Sequence, residues 1–202
     1  MVSERKINER EYRKSLIRKA TLDVFGELGI EKVTMDVIAK KSDFGKASLY
    51  YYFPSKEDVF NEIMVIGWAK LLDGLDDIVK DVISPRERFI QMLKRLVTFV
   101  QEDRTLFEFL MIAPRHVNVE TNEVPEWKNH QNHLYGMLTT LLEEGIKKGE
   151  FVSMPSEIAM RAIGGIFHGI LFLGKSPTEI NENEFEALIQ NFIPTPDASP
   201  NE

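Results

Sequence analysis

The sequence predicts an all-α chain, a three-helix N-terminal domain with a helix-turn-helix followed by a larger helical domain. Three observations carry this. Apolar residues recur at three- and four-residue steps almost throughout. Two cap-proline-glutamate runs, Ser84-Pro85-Arg86-Glu87 and Ser176-Pro177-Thr178-Glu179, mark helix starts. No repeat, coiled-coil heptad or β-rich segment stands out.

The elements follow in order. Leu16, Ile17, Ala20, Val24, Phe25 and Leu28 give an amphipathic helix ending at Gly29. Thr34 caps the next helix, with Asp36 in its first turn. Ser55 and Asp58 form a capping box for a long helix through about Val82. Its apolar stripe includes Ile63, Trp68, Leu71, Leu75, Ile78 and Val82. The Ser84 signal opens a helix carrying Phe89, Leu93, Leu96, Val97 and Val100. A shorter helix spans about Thr105 to Ala113 and is ended by Pro114, after which Arg115 to Glu123 reads as a loop. Another long helix runs from about Glu126 to Lys148, stopped by Gly149. Pro155 precedes a helix that is apolar on more than one face. Its Gly164, Gly165 and Gly169 cost helix propensity unless close approach repays it. Phe185, Leu188, Ile189 and Phe192 make the final stripe, and residues 195–202 read as a disordered tail. The expected domains are 1–54 and 55–194.

With 202 residues and 43% hydrophobic content, the chain can form a substantial core. It has no cysteine, which excludes disulfides, thiol catalysis and cysteine-ligated zinc. The first ten residues lack the apolar run of a signal peptide, and no run approaches a membrane span. The expectation is a soluble cytoplasmic protein. Its net charge of -7 taken alone argues against nucleic acid, but the charge is unevenly placed. Residues 1–58 hold 12 Lys/Arg against 10 Asp/Glu, while the remainder holds 13 against 22. Within residues 5–19, Arg5, Lys6, Arg10, Arg13, Lys14, Arg18 and Lys19 face only Glu9 and Glu11. Such an arm can sit over phosphates, or it can be an ordinary solvated helix face.

The most informative stretch is Lys32 to Phe60, KVTMDVIAKKSDFGKASLYYYFPSKEDVF. It reads as two short helices around a tight turn, with Val33, Val37, Ile38, Phe44, Leu49 and Phe53 directed inward. Lys46, Ala47, Ser48, Tyr50 and Tyr51 then lie along a short helix with several side chains exposed. Small, hydroxyl and basic side chains of this kind suit a DNA groove.

The order of residues resembles the N-terminal domain of the TetR family of one-component regulators. The likeness begins with Ile17, Ala20, Phe25 and Gly29. It continues through Thr34, Ile38, Ala39, Lys46, Leu49, Tyr50, Tyr51 and Phe53 to Ser55, Lys56, Glu57 and Phe60. It covers roughly the first third of the chain. The resemblance implies that the helix from Lys46 to Tyr51 enters the major groove, with Thr34, Tyr51, Tyr52 and Lys56 on sugar-phosphate. Three positions depart from the pattern. Asp43 replaces a turn glycine, Gly45 replaces a hydroxyl cap, and Tyr52 replaces a frequent histidine. Asp tolerates the left-handed conformation, glycine is a weaker cap, and a tyrosine hydroxyl can still donate to phosphate.

The resemblance also implies a helical domain that binds a small molecule and dimerises. Candidate wall residues are Trp68, Met92, Leu96, Phe99, Phe107, Met111, Trp127, Tyr135 and Phe167. They suit an apolar or aromatic effector, although aromatics at helical spacing also make plain core. The last two helices are the expected homodimer surface, through Ile163, Ile166, Phe167, Ile170, Leu188 and Phe192, with a monomeric core as the alternative.

His130 and His133 share a helix face but lack an HExxH pattern, so surface histidines are the simpler reading, and no metal or cofactor is expected. His168 reads as a core residue or a pocket contact. No nucleophile elbow or phosphate-binding glycine loop supports an enzyme. The expected function is a ligand-responsive regulator, a repressor in the family's commoner mode, on a palindromic double-stranded operator. The alternatives are a ligand-independent DNA-binding regulator or activator, and a ligand-binding module whose DNA domain has lost specificity.

Overall fold

Local signals set most of the helix ends in the computed structural model, which describes residues 4–117, 124–172 and 182–192. Among these residues there are ten α-helices and no strand. They are α1 (Glu4–Leu28), α2 (Met35–Ser42), α3 (Lys46–Tyr52), α4 (Lys56–Asp73) and α5 (Asp76–Lys80). Then follow α6 (Pro85–Glu102), α7 (Arg104–Ile112), α8 (Glu126–Lys147), α9 (Ser156–Phe172) and α10 (Glu182–Phe192). Contacts divide the chain into two units, residues 1–69 with 105–127, and residues 70–104 with 128–202.

In the first unit, α1 stops at Gly29, whose φ of 80° suits glycine alone. Thr34 caps α2 by accepting the Val37 amide at 3.3 Å. The Ser55 hydroxyl accepts the Asp58 amide at 3.1 Å and donates to the Asp58 carboxylate at 2.6 Å. Phe109 of α7 meets Phe25 and Phe60 edge-on, at 5.3 and 5.1 Å between ring centroids. Gly67 lets α4 approach α7, since a Cβ there would stand 2.8 Å from Leu110 Cδ2. These contacts explain why residues 105–127 belong with the N-terminal helices. The expected functional boundary at residue 54 therefore differs from the division by packing.

In the second unit, Ser84 and Glu87 make the complete capping box, with Pro85 in the first turn. The Glu150 carboxylate adds a third cap by accepting the Arg86 amide at 2.9 Å. Phe89 packs on Phe151 at 5.6 Å, and Phe151 in turn lies over Gly145. α10 joins α6 through the Lys94–Glu186 ion pair at 3.1 Å, and Phe185 meets Phe167 of α9. Gly149, with φ of 73°, follows α8 as its stop.

Several expectations need correction. The helix opened by Ser55 ends at Asp73, not Val82, and the chain turns at Gly74 before α5. The Phe99 ring occupies the space of a side chain at Gly74, where a Cβ would lie 2.2 Å from Cζ. Arg95 takes the Gly74 carbonyl at 2.9 Å and pairs with Asp77 at 3.1 Å, which fixes the turn. Val82, placed on the apolar stripe, is 97% exposed. Pro114 lies inside a 3-10 turn, Ala113–Arg115, that continues from α7. Val37 is half-buried, and His168 is exposed instead of core. The Ser176–Glu179 start signal, most of the loop after Arg115 and the 195–202 tail lie outside the described residues.

Candidate nucleic-acid interface

The turn between α2 and α3 is built as its sequence requires. Asp43 adopts φ 56° and ψ 33°, the left-handed conformation that a short polar side chain tolerates. Gly45 begins α3 in extended geometry without a side-chain cap. Leu49 is completely buried, and its burial anchors the short helix with about 2 kcal/mol. Phe53, Ile38 and Val33 complete the platform beneath it.

The opposite face of α3 is open. Lys46, Ala47 and Ser48 are exposed, Tyr50 is 49% exposed and Tyr51 is 70% exposed. Lys46 pairs with Asp36 of α2 at 2.7 Å. That hydrogen bond raises the lysine pKa, so the ammonium stays charged at neutral pH. Tyr52 is half-buried, edge-on to Phe44 at 5.9 Å and to Tyr51 at 5.1 Å. Thr34 is exposed at the start of α2, and Lys56 is half-buried with its ammonium 5.9 Å from the Phe60 ring. A cleft of about 410 Å³ is lined by Arg13 together with Asp43, Gly45, Ser48, Tyr51 and Tyr52. Hydroxyl, ammonium and methyl groups are thus exposed together along α3, the chemistry needed for base edges and phosphates.

Sequence reasoning about residue types missed how α1 joins this face. The Arg10 guanidinium lies 5.8 Å from the Tyr51 ring centroid. Lys14 and Arg18 turn the other way, both pairing with Glu62 of α4. The basic arm marked the general region, but helix phase alone could not say which cations Glu62 takes.

The nine expected effector residues divide between the two units. Trp68, Phe107, Met111 and Trp127 belong to the first unit, and Met92, Leu96, Phe99, Tyr135 and Phe167 to the second. Trp68, Met92, Leu96, Phe107, Trp127 and Phe167 are buried, Phe99 and Met111 half-buried, and Tyr135 exposed. Phe99 is engaged at Gly74. An open cleft of about 460 Å³ in the second unit is lined by Val79, Arg88, His133, Gly136, Met137 and Glu144, among others, and by none of the nine. Its α8 residues recur at three and four positions, a spacing visible in the sequence, but Val79 and Arg88 come from elsewhere.

The residues expected on the dimer surface differ in burial. Ile163 and Phe167 are 3% and 8% exposed, so both serve the second unit's own core. Ile166 and Leu188 are half-buried, while the side chains of Ile170 and Phe192 lie outside the described residues. The outward face of α9 carries Ile158, Arg161, Ala162, Gly164, Gly165 and His168. Among the described residues, no group of three His, Asp or Glu could hold a metal ion, and no helix is long and apolar enough to cross a membrane.

Comparison with known proteins agrees with this surface. The family profile described as bacterial regulatory proteins, tetR family, matches residues 17–63. The HTH-type transcriptional regulator YhgD of Bacillus subtilis is 24% identical over 162 residues, 79% of this chain and 83% of that one. The fatty acid metabolism regulator protein of Bacillus subtilis is 24% identical over 135 residues, 65% of this chain and 66% of that one. A bacterial regulatory protein in the tetR family from Rhodococcus RHA1 has the same fold, with a TM-score of 0.77 and 19% identity, over 92% of this chain and 98% of that one.

Proposed function

The chain belongs to the tetR family of bacterial regulatory proteins, and on that premise we propose a ligand-responsive transcriptional repressor that binds a palindromic operator as a homodimer. The observation that carries the reading is the exposed row of Lys46, Ala47, Ser48, Tyr50 and Tyr51 over a buried Leu49. Residues 1–54 form the DNA-binding domain in this account, and residues 55–194 receive the effector and pair the protomers. Thr34, Tyr52 and Lys56 contact sugar-phosphate and set the register of α3. Two copies place α3 in successive major-groove faces, roughly 34–36 Å apart.

The outward face of α9 supports pairing there. Among the described residues, a Cβ on Gly164 or Gly165 would meet nothing within 4 Å, so neither glycine is explained by packing against them. Each costs about 1 kcal/mol of helix propensity relative to alanine. A partner helix approaching closely would offset that cost.

Likeness to the fatty acid metabolism regulator protein of Bacillus subtilis supports an apolar, acyl-bearing effector. Such a ligand acts by preferring the shape that does not fit DNA, and a preference of about 1–3 kcal/mol suffices. The second reading is a ligand-independent regulator or activator. It is favoured by the tight burial of Trp68, Met92, Leu96 and Phe107, which serve as core without any ligand.

Two measurements test these readings. K46A and Y51A should each weaken binding to a selected duplex about tenfold while thermal stability holds, because both side chains are exposed. A thermal-shift series with acyl-CoAs and aromatic acids should raise the unfolding temperature, and the stabilising compound should release the duplex. A stabiliser that leaves DNA binding untouched, or no stabiliser at all, favours the second reading.

A further inference from the structure

The first half of α1 stands outside the core. The helix begins at Glu4, yet its first buried residue is Ile17. The preceding thirteen residues make about 20 Å of helix with every side chain exposed or half-buried. A helical stretch without packing is marginal in water, so its charges matter more than its apolar content.

Those charges sort onto two faces. On one, Lys14 and Arg18 pair with Glu62 of α4, and Arg18 also meets Glu11 at 2.7 Å. This face is spent inside the protein. On the other, Lys6, Arg10 and Arg13 follow one another at four- and three-residue steps and so share a face. Neither Lys6 nor Arg10 has an ion-pair partner among the described residues, and Arg10 lies against the Tyr51 ring. Arg13 lines the cleft that includes Gly45, Ser48 and Tyr51. Its only ion pair among the described residues, with Glu9 at 3.2 Å, is exposed and therefore easily exchanged.

We propose that Lys6, Arg10 and Arg13 form a second DNA-contacting ridge, which grips backbone phosphates flanking the bases read by α3. The proposal rests on the DNA-binding reading above and extends it to residues outside the helix-turn-helix. Tyr51 joins the two surfaces, because it projects from α3 and supports Arg10. The ridge neutralises phosphate and releases counterions, so it adds affinity and salt dependence. It carries no base-reading geometry and leaves sequence preference to α3.

The test uses the full chain and a duplex selected from random DNA by the wild-type protein. That duplex is prepared with ten-base-pair flanks and again with the flanks removed. The wild type should lose about tenfold in affinity on trimming. K6Q/R10Q, which keeps Arg13, should bind the long duplex about fivefold more weakly, lose only about twofold on trimming, and select the same sequence. Its slope of log affinity against log salt should be shallower by about 1.8 per bound protomer, two phosphates at roughly 0.9 each. E9Q should free Arg13 and tighten binding about twofold. K147Q/K148Q removes the same net charge from the end of α8 and should bind like the wild type.

A K6Q/R10Q protein that matches the wild type in slope and in flank dependence overturns the ridge. An equal loss in K147Q/K148Q overturns it too, by assigning the effect to net charge. Failure of the wild type to bind any duplex removes the DNA reading itself, a result visible before any variant is made.

Discussion

Glu62 decides how the basic residues of α1 are divided. Its carboxylate holds Lys14 and Arg18 together, and all three side chains are mostly withdrawn from solvent. E62Q would leave two crowded cations without their shared anion. The expected cost is about 1–2 kcal/mol in chemical unfolding, below the loss at a fully buried pair because some solvent still reaches the site. An E62Q protein as stable as the wild type would mean that the cluster has no structural weight. At this scale the sequence was informative wherever a residue acts on its own backbone. Asp43 in the left-handed turn, Gly45 as a bare cap and Thr34 as a hydroxyl cap all follow from residue type. The partners of Lys14, Arg18 and Arg10 were not legible, since they depend on how α1 is rotated about its axis.

At the scale of elements, helix starts were more legible than helix ends. Ser84, Pro85 and Glu87 fix the start of α6 within four consecutive residues. The end of α4 instead depends on Phe99 and Arg95, more than twenty positions later, which clamp the turn at Gly74. Periodicity continues past the turn through Ile78 and so conceals it. G74A places a methyl group against the Phe99 ring and should destabilise the protein by about 1–3 kcal/mol, read as a lower midpoint in denaturant. G74A combined with F99A removes the clash, and recovery of part of that loss would identify the ring as its source. An unchanged midpoint in G74A alone would refute the steric account of the break.

At the scale of the whole molecule, family and fold were legible because the helix-turn-helix is a contiguous, local motif. The packing of the nine expected wall residues was not legible, because residue type alone does not say which side chains pack together. The proposed dimer surface lies between these cases. α9 was recognisable as unusual, but only burial shows that Ile163 and Phe167 face inward while Gly164 and Gly165 face out. G165L adds a better helix former where a Cβ would meet nothing within 4 Å among the described residues. The folded chain should be no less stable, yet sedimentation should show a dimer for the wild type and a monomer for the variant, and operator affinity should fall with it. A dimeric G165L protein would move the pairing surface elsewhere.

The central claim is that the exposed side chains of α3 read DNA, two copies at a time. Repeated selection of random duplexes by the full-length protein at low salt, followed by sequencing, tests it most directly. The account predicts enrichment of one inverted repeat, its half-site centres about one helical turn apart. Recovery of no common sequence, or of a single unrepeated site bound equally well by Y51A, would contradict it.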